Sequence, residues 1–254
     1  MEPMRIYFIT GEDVFYVIRL FRRFLALWDG SDIEIAGTAI CNRFKKKSFL
    51  GPIRYGLDFY GPRSFVSQGI RYLYRRATGR TIEKLFDKRG IPVKKPDTVN
   101  DERFLDYLRT QAPDLVISVS APQVFRKPLI DLPRLGCINI HSAILPAYRG
   151  LMPVFWAMYH GEREIGLSVH YIDERIDHGP LIRQVRVPVP AGASLDEMLK
   201  KMKDLGGDLL WDVVQSFRNR TVSTIPYPDV KSSYYSFPRP EDVREFRRRG
   251  YRIL

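Results

Sequence analysis

The chain has 254 residues, of which 44% are hydrophobic and 28% charged, and this composition excludes an intrinsically disordered protein. No stretch approaches the roughly 20 consecutive apolar residues of a membrane-spanning helix, and the first residues lack the flanks of a signal peptide. Cys41 and Cys137 lie in apolar, strand-like runs, so we expect reduced thiols and a cytoplasmic protein. The net charge of +12 is compatible with an anionic partner: nucleic acid, a membrane surface, or a phosphorylated or polycarboxylate ligand.

Short apolar runs alternate with helical patterns along the first half of the chain. The spacing predicts a helix over residues 14–28 and another over residues 101–109, with Asn100 as the N-cap of the second. The predicted strands are residues 4–9, 33–41, 91–93, 114–120 and 137–141. Such alternation predicts an α/β, doubly wound, Rossmann-like fold with a mostly parallel sheet.

The second half of the chain continues this pattern. Residues 165–172 and 181–189 are predicted strands around a turn, and residues 194–217 form a long amphipathic helix in which Ser194 and Glu197 make a capping-box pattern. We therefore expect one domain over residues 1–220, interrupted by a basic, aromatic insert at residues 42–90. A short tail rich in Pro and Tyr follows at residues 221–254.

Several kinds of chemistry are excluded by missing motifs. No phosphate-binding or dinucleotide-binding glycine pattern follows the first strand, which disfavours kinases and dehydrogenases. The four histidines include no H-E-x-x-H motif and no cysteine pair at zinc spacing, so we expect no metal. The segment around Ser168 lacks the second glycine of a nucleophile elbow, which disfavours serine hydrolysis.

Asn139 and His141 alternate with apolar residues at the end of the fifth predicted strand, so their side chains project from the same face. The carboxyl ends of parallel strands line the ligand crevice of such a sheet. Asp177 lies in the turn at residues 173–180, which can fold back over the strand ends. An imidazole oriented by a carboxylate, with an amide donor for an oxyanion, suits acyl transfer to an amine.

Three segments resemble the folate-dependent formyltransferase family: CINIHSAILPAYRG at residues 137–150, SVHYIDE at 168–174 and IDHGP at 176–180. The resemblance implies that Asn139, His141 and Asp177 are catalytic and that the formyl donor is 10-formyltetrahydrofolate. It also implies that Asn139 and a protonated His141 stabilise the oxyanion, while Asp177 raises the pKa of His141. The chain departs from the family pattern at Ala143, Arg175 and His178.

The same resemblance places the pterin-binding loop on residues 122–125, with residues 172–174 closing its other side. The resemblance also implies that the reaction requires no metal. The implied cofactor-binding residues are Pro122, Gln123, Val124, Phe125, Ile172, Asp173 and Glu174.

We expect the acceptor to be the amino group of a nucleotide-linked amino sugar, and the enzyme to be a homodimer that binds no nucleic acid. The tail after Arg220 is shorter than the RNA-binding domain of methionyl-tRNA formyltransferases, and residues 10–14 lack the phosphate-binding turn of the purine enzyme. A methionyl-tRNA formyltransferase-like enzyme or one with another amine acceptor is the alternative. A non-catalytic binder of anionic polymer or membrane is the alternative from another class.

The insert is the most basic part of the chain. A helix over residues 64–76 would place Phe65, Ile70, Leu73 and Tyr74 partly on one side and arginines around the other. Three interpretations stay open for these arginines: surface solvation of a helix packed on the sheet, binding of acceptor phosphates, or weak contact with an anionic membrane. Two interpretations of the tail also stay open. Its aromatic residues stack on a nucleotide base, or they form a strap that ties the tail to the core.

Overall fold

The computed structural model describes residues 2–41 and 50–254, and the start of the predicted insert, residues 42–49, lies outside them. The helices of the described part are α1 Val17–Leu27, α2 Leu50–Tyr60, α3 Pro62–Ala77, α4 Ile82–Asp87, α5 Glu102–Gln111, α6 Lys127–Ile130, α7 Pro153–Tyr159, α8 Leu195–Arg218 and α9 Pro240–Arg248. The strands are β1 Met4–Gly11, β2 Ile33–Cys41, β3 Val93–Lys94, β4 Leu115–Val119, β5 Cys137–His141, β6 Arg149–Gly150, β7 Glu164–Tyr171, β8 Leu181–Pro188 and β9 Tyr234–Tyr235.

Within the described residues, seven strands form the central sheet in the order β3-β2-β1-β4-β5-β7-β8. The strands from β3 to β5 are parallel, and β7 and β8 join in antiparallel orientation. The predicted doubly wound, mostly parallel α/β fold is confirmed. The third strand begins at Val93, two residues later than predicted.

Alternating residues of β1 supply both faces of the sheet, because successive side chains of a strand point to opposite sides. Ile6 and Phe8 belong to the larger core cluster, which includes the apolar sides of α1 and α8. Tyr7 and Ile9 belong to the second cluster, which includes the buried side of α5. Helices therefore cover the sheet on both faces, which explains why β1 and β4 are almost entirely apolar.

The long helix α8 has the predicted capping box, in which the Ser194 hydroxyl and the Glu197 carboxylate each accept a backbone N–H of the other residue. The predicted N-cap of α5 is wrong by one residue. Asp101 caps this helix by accepting the N–H of Arg103, because Asn100 binds elsewhere, on the loop that follows β4.

The C-terminal segment packs against the domain over most of its length. Phe246 of α9 is fully buried and stacks on Phe155, with ring centroids 4.6 Å apart. The ring of Tyr235 lies between Tyr148 and Trp156, at 5.5 and 4.8 Å. Tyr235 therefore attaches the tail to the core, as in the second of the two interpretations of the tail.

Candidate active site

Asn139 and His141 lie at the end of β5 with β4 on one side and β7 on the other. The two side chains share a face because one residue separates them on the strand. His141 is 8% exposed, and Asn139 is half-buried. The chain thus places an amide and an imidazole together at the carboxyl end of a central strand.

The turn between β7 and β8 brings Asp177 to this pair. Asn139 Nδ2 donates to Asp177 Oδ1 at 3.3 Å, and His141 Nδ1 lies 3.6 Å from Asp177 Oδ2. The backbone N–H of Gly150 donates to the same Oδ2 at 2.8 Å. The three residues that the sequence predicts as catalytic are therefore in one cluster.

His170 is a fourth member of the cluster that the sequence analysis did not select. It lies opposite Asn139 on β7, with its Nε2 3.3 Å from Asn139 Nδ2 and 3.7 Å from Asp177 Oδ1. Its Nδ1 donates to the carbonyl of Tyr171 at 2.7 Å, and its Nε2 accepts the Asn139 amide. The sequence contains one indication of this role, because His170 lies in SVHYIDE, one of the three segments that resemble the formyltransferase family.

The protonation state of His141 follows from its contacts and its burial. Nε2 must carry a proton, because it lies 2.9 Å from the carbonyl oxygen of Tyr148. Burial of the ring lowers the pKa of His141, and this outweighs the opposite effects of the Asp177 charge and the Tyr148 hydrogen bond. Asp177 raises this pKa as expected, but burial has the larger effect and the net direction is downward, so the protonated His141 that the resemblance implied is not the resting form. His141 is neutral near pH 7, with the lone pair of Nδ1 toward Asp177.

Asp177 stays ionised in the same surroundings. Burial favours its neutral form, but the charge of His141, the contact with His170 and the Gly150 N–H together lower the pKa of Asp177 to about 2. The contribution of His141 is present only while that ring is protonated. His170 Nε2 accepts the Asn139 amide and therefore does not donate to the carboxylate, so at neutral pH the N–H of Gly150 and the amide of Asn139 hold Asp177.

A lysine that the sequence analysis also missed adds positive charge near this site. Lys203 of α8 donates from Nζ to the hydroxyl of Ser120, just after β4, at 3.1 Å. Burial lowers the pKa of Lys203, and the charge of Asp13 opposes this shift. The lysine charge is one of the influences that lower the pKa of His141.

The loop after β4 contains the predicted pterin-binding residues 122–125. The side chain of Gln123 is buried in the fold, where it accepts the N–H of Val99 at 2.8 Å and donates to the carbonyl of Asp97 at 3.0 Å. Phe125 is buried in the second core cluster. Val124 is 52% exposed and Pro122 is half-buried, so these two residues present the surface of the loop.

Residues 172–174 lie beside the same core cluster. Ile172 packs against the cluster that contains Phe125, and its N–H donates to the carbonyl of Cys137 at 2.8 Å. The carboxylate of Asp173 accepts His178 Nδ1 at 2.9 Å and the N–H of Arg175 at 2.8 Å, whereas Glu174 is exposed. The structure therefore uses Asp173 to hold the turn that carries Asp177.

A cavity of about 530 Å³ opens next to Asp177. Arg149 and Arg175 both line it, and Nε of Arg149 is buried without a hydrogen-bond partner in the described part of the chain. The hydroxyl of Tyr227 in its wall lies within 2.9 Å of the carbonyls of His178 and Gly179. The cavity thus combines two guanidinium groups with the carboxylate of the cluster. The other residues that line it are Pro146, His178 and Ser232.

None of the described helices is long and apolar enough to cross a membrane. No group of three or more His, Cys, Asp or Glu side chains within residues 2–41 and 50–254 is arranged to hold a metal ion.

Comparison with solved structures gives the fold. A glycinamide ribonucleotide transformylase from Symbiobacterium toebii superposes with a TM-score of 0.61 at 19% identity, over 86% of this chain and 89% of that one. A sugar 3N-formyl transferase, solved in the presence of dTDP and 5-N-formyl-THF, gives a TM-score of 0.58 at 16% identity, over 92% of this chain and 70% of that one.

Comparison with sequences identifies the family in addition to the fold. The methionyl-tRNA formyltransferase of Syntrophus aciditrophicus is 35% identical over 152 residues, which are 60% of this chain and 49% of the relative. That of Halalkalibacterium halodurans is 30% identical over 199 residues, 77% of this chain and 63% of the relative. The matched part of the chain thus spans 49% and 63% of the lengths of these two relatives. A family model described as formyl transferase matches residues 71–214, more than half of the chain. The chain belongs to the formyl transferase family.

Proposed function

We propose that the protein transfers a formyl group from 10-formyltetrahydrofolate to a primary amine. One observation carries this proposal: the Asp177 carboxylate lies within reach of both the Asn139 amide and the His141 imidazole, at the end of a central strand. Family membership supports the same reaction. We assign catalytic roles to Asn139, His141 and Asp177 on these two grounds.

The reaction begins when the neutral amine attacks the formyl carbon, which gives an oxyanion and a positively charged nitrogen. The proton of that nitrogen passes to the His141–Asp177 pair, and the Asn139 amide exchanges its 3.3 Å hydrogen bond to Asp177 for one to the oxyanion. The carbon–nitrogen bond to the folate then breaks, and the proton goes to the departing N10 to give tetrahydrofolate. His141 thus begins neutral and gains charge during the step, where the ionised Asp177 stabilises it most.

We propose that the pterin lies between residues 122–125 and 172–174. The exposed side chain of Val124 and the half-buried Pro122 and Ile172 supply apolar contacts. Gln123 and Phe125 act indirectly, since their side chains hold the loop in place. Backbone groups of the two segments remain for hydrogen bonds to the ring.

The remaining question is which amine accepts the formyl group. The names of the curated relatives favour methionyl-tRNA, the alternative of the sequence analysis, over the amino sugar that it preferred. The fold neighbours include an enzyme that acts on a sugar. Both acceptors carry phosphate groups, and the cavity with Arg149 and Arg175 beside Asp177 suits such an anion. We therefore propose an acceptor with phosphate near its amine, aminoacyl-tRNA first and nucleotide-linked amino sugar second. The homodimer and the cytoplasmic location stay predictions.

The test is an assay of tetrahydrofolate release from 10-formyltetrahydrofolate with a panel of acceptors. The panel contains methionyl-tRNA, amino sugars linked to dTDP or UDP, and glycinamide ribonucleotide. We expect formylation of one acceptor class, detected by mass spectrometry, and its loss in Asp177→Asn. Folate binding without transfer to any of these amines would contradict the proposal.

A further inference from the structure

Helix α3 is held on the domain by one side. The ring of Phe65 packs so closely against Gly56 of α2 that a Cβ there would lie 2.3 Å from it. Arg75 donates from Nη1 to the carbonyl of Val14 at 2.6 Å, and its guanidinium lies 5.2 Å from the centre of the Phe15 ring. Arg75 is therefore part of the attachment of α3.

The opposite side of α3 is apolar and exposed. Val66, Ile70, Leu73 and Tyr74 are 59%, 64%, 66% and 55% exposed, and their spacing puts them on one face. No side chain of α3 is buried. The predicted helix is present, but a helix packed on the sheet would bury its apolar face, and α3 turns that face outward. We call these four residues the α3 stripe.

Positive charge surrounds the α3 stripe. Arg63, Arg71, Arg76 and Arg80 are exposed, and the guanidinium of Arg80 lies 5.3 Å from the Tyr74 ring centre. Residues 62–77 contain no acidic residue, and the whole chain carries a net charge of +12. An apolar stripe bordered by arginines matches an anionic bilayer, whose head groups attract the arginines and whose acyl region takes up the aliphatic side chains.

We propose that α3 docks the protein on the surface of an anionic lipid bilayer. A second copy of the chain is a poorer occupant, because two arginine borders would repel each other. RNA would satisfy the arginines but would leave the aliphatic Val66, Ile70 and Leu73 in contact with water and phosphate. The proposal does not depend on the proposed formyl transfer.

The first test is sedimentation of the full chain with vesicles. Wild type should pellet with vesicles that contain phosphatidylglycerol and remain in solution with pure phosphatidylcholine. The triple variant Val66→Ser, Ile70→Ser, Leu73→Ser should lower the partition coefficient by about tenfold or more. Arg63→Gln and Arg76→Gln, at two exposed arginines, should each lower it by about fivefold. The matched control is Leu27→Ser with Leu205→Ser, two exposed leucines outside α3 that should leave binding unchanged.

A second test does not depend on how well the triple variant folds. Both native cysteines are buried, so a polarity-sensitive dye on Leu73→Cys reports on the α3 stripe alone. Phosphatidylglycerol vesicles should shift its emission to the blue, whereas the same dye on Lys231→Cys in the tail should not respond. Equal response to neutral vesicles, a shift with RNA but not with vesicles, or a shift with protein concentration alone would each overturn the proposal. The last two results would identify RNA or a second copy as the occupant.

Discussion

The backbone N–H of Gly150 donates a 2.8 Å hydrogen bond to the carboxylate of Asp177, and this bond joins the two sequence motifs of the site. Gly150 has φ of 92°, in the region that favours glycine. A Cβ at this position would lie 2.3 Å from the carbonyl oxygen of Tyr235. The glycine thus allows the tail strand β9 and the turn that carries Asp177 to meet on either side of β6.

Gly150→Ala should therefore disturb the support of Asp177. The added methyl group must move β9 or turn the N–H away from the carboxylate, and loss of this charge-assisted bond should lower kcat by about tenfold or more. The matched control is Gly250→Ala, which has φ of 88° but nothing within 4 Å of the added Cβ. Equal losses of activity in both variants would mean that backbone strain, and not the contact with Asp177, is responsible.

Asp177→Asn keeps the size of the side chain but removes the charge that stabilises a protonated His141. We expect kcat to fall by about 10²- to 10⁴-fold, because this charge matters most in the transition state. Folate affinity, measured by fluorescence titration, should change little. Asp229→Asn, an exposed aspartate of the tail, is the control. A variant of Asp177 with near-normal turnover would remove this residue from the mechanism.

The lowered pKa of His141 predicts a pH dependence of stability. Below the ordinary histidine pKa of about 6.5 the unfolded chain takes up a proton that the folded chain does not, so stability is lost as pH falls toward the lowered value. Asp177 stays ionised in this window because its pKa is about 2. Urea unfolding at several pH values should show a smaller loss in His141→Gln than in wild type. Identical slopes would mean that His141 titrates normally.

The sequence predicts the fold and three members of the cluster because their signals are local. Strand alternation places Asn139 and His141 on one face, and the acidic turn marks Asp177. His170 and Lys203 are different, since their proximity depends on the antiparallel register of β7 and on the packing of α8 against the sheet. The pKa of His141 also follows from burial, which the order of residues does not give. The direction in which the apolar side of α3 faces depends in the same way on Arg75 and Phe65, whose contacts lie elsewhere in the chain.

The change in composition near Arg220 does not mark the end of the packed core. Val243 and Phe246 are in the same core cluster as Phe155 and α8, so the tail contributes to the stability of the domain. Phe246→Ala should lower the free energy of unfolding by about 3–5 kcal/mol, measured by denaturant titration. Leu254→Ala, at a residue that is 37% exposed, is the control and should have a small effect. A comparable small effect at Phe246 would mean that α9 folds independently of the domain.

Arg175 lines the cavity beside Asp177 together with Arg149. If this cavity receives the phosphate of the acceptor, Arg175→Gln should raise the acceptor KM by about tenfold through loss of a charge-assisted contact, with kcat nearly unchanged. Arg183→Gln, at an exposed arginine of β8 outside the cavity, is the matched control. The effect should shrink at high salt, and it should vanish with a small primary amine that has no phosphate. A KM that rises equally for both kinds of amine would contradict phosphate binding by Arg175, since an uncharged acceptor has no anion for the guanidinium to hold.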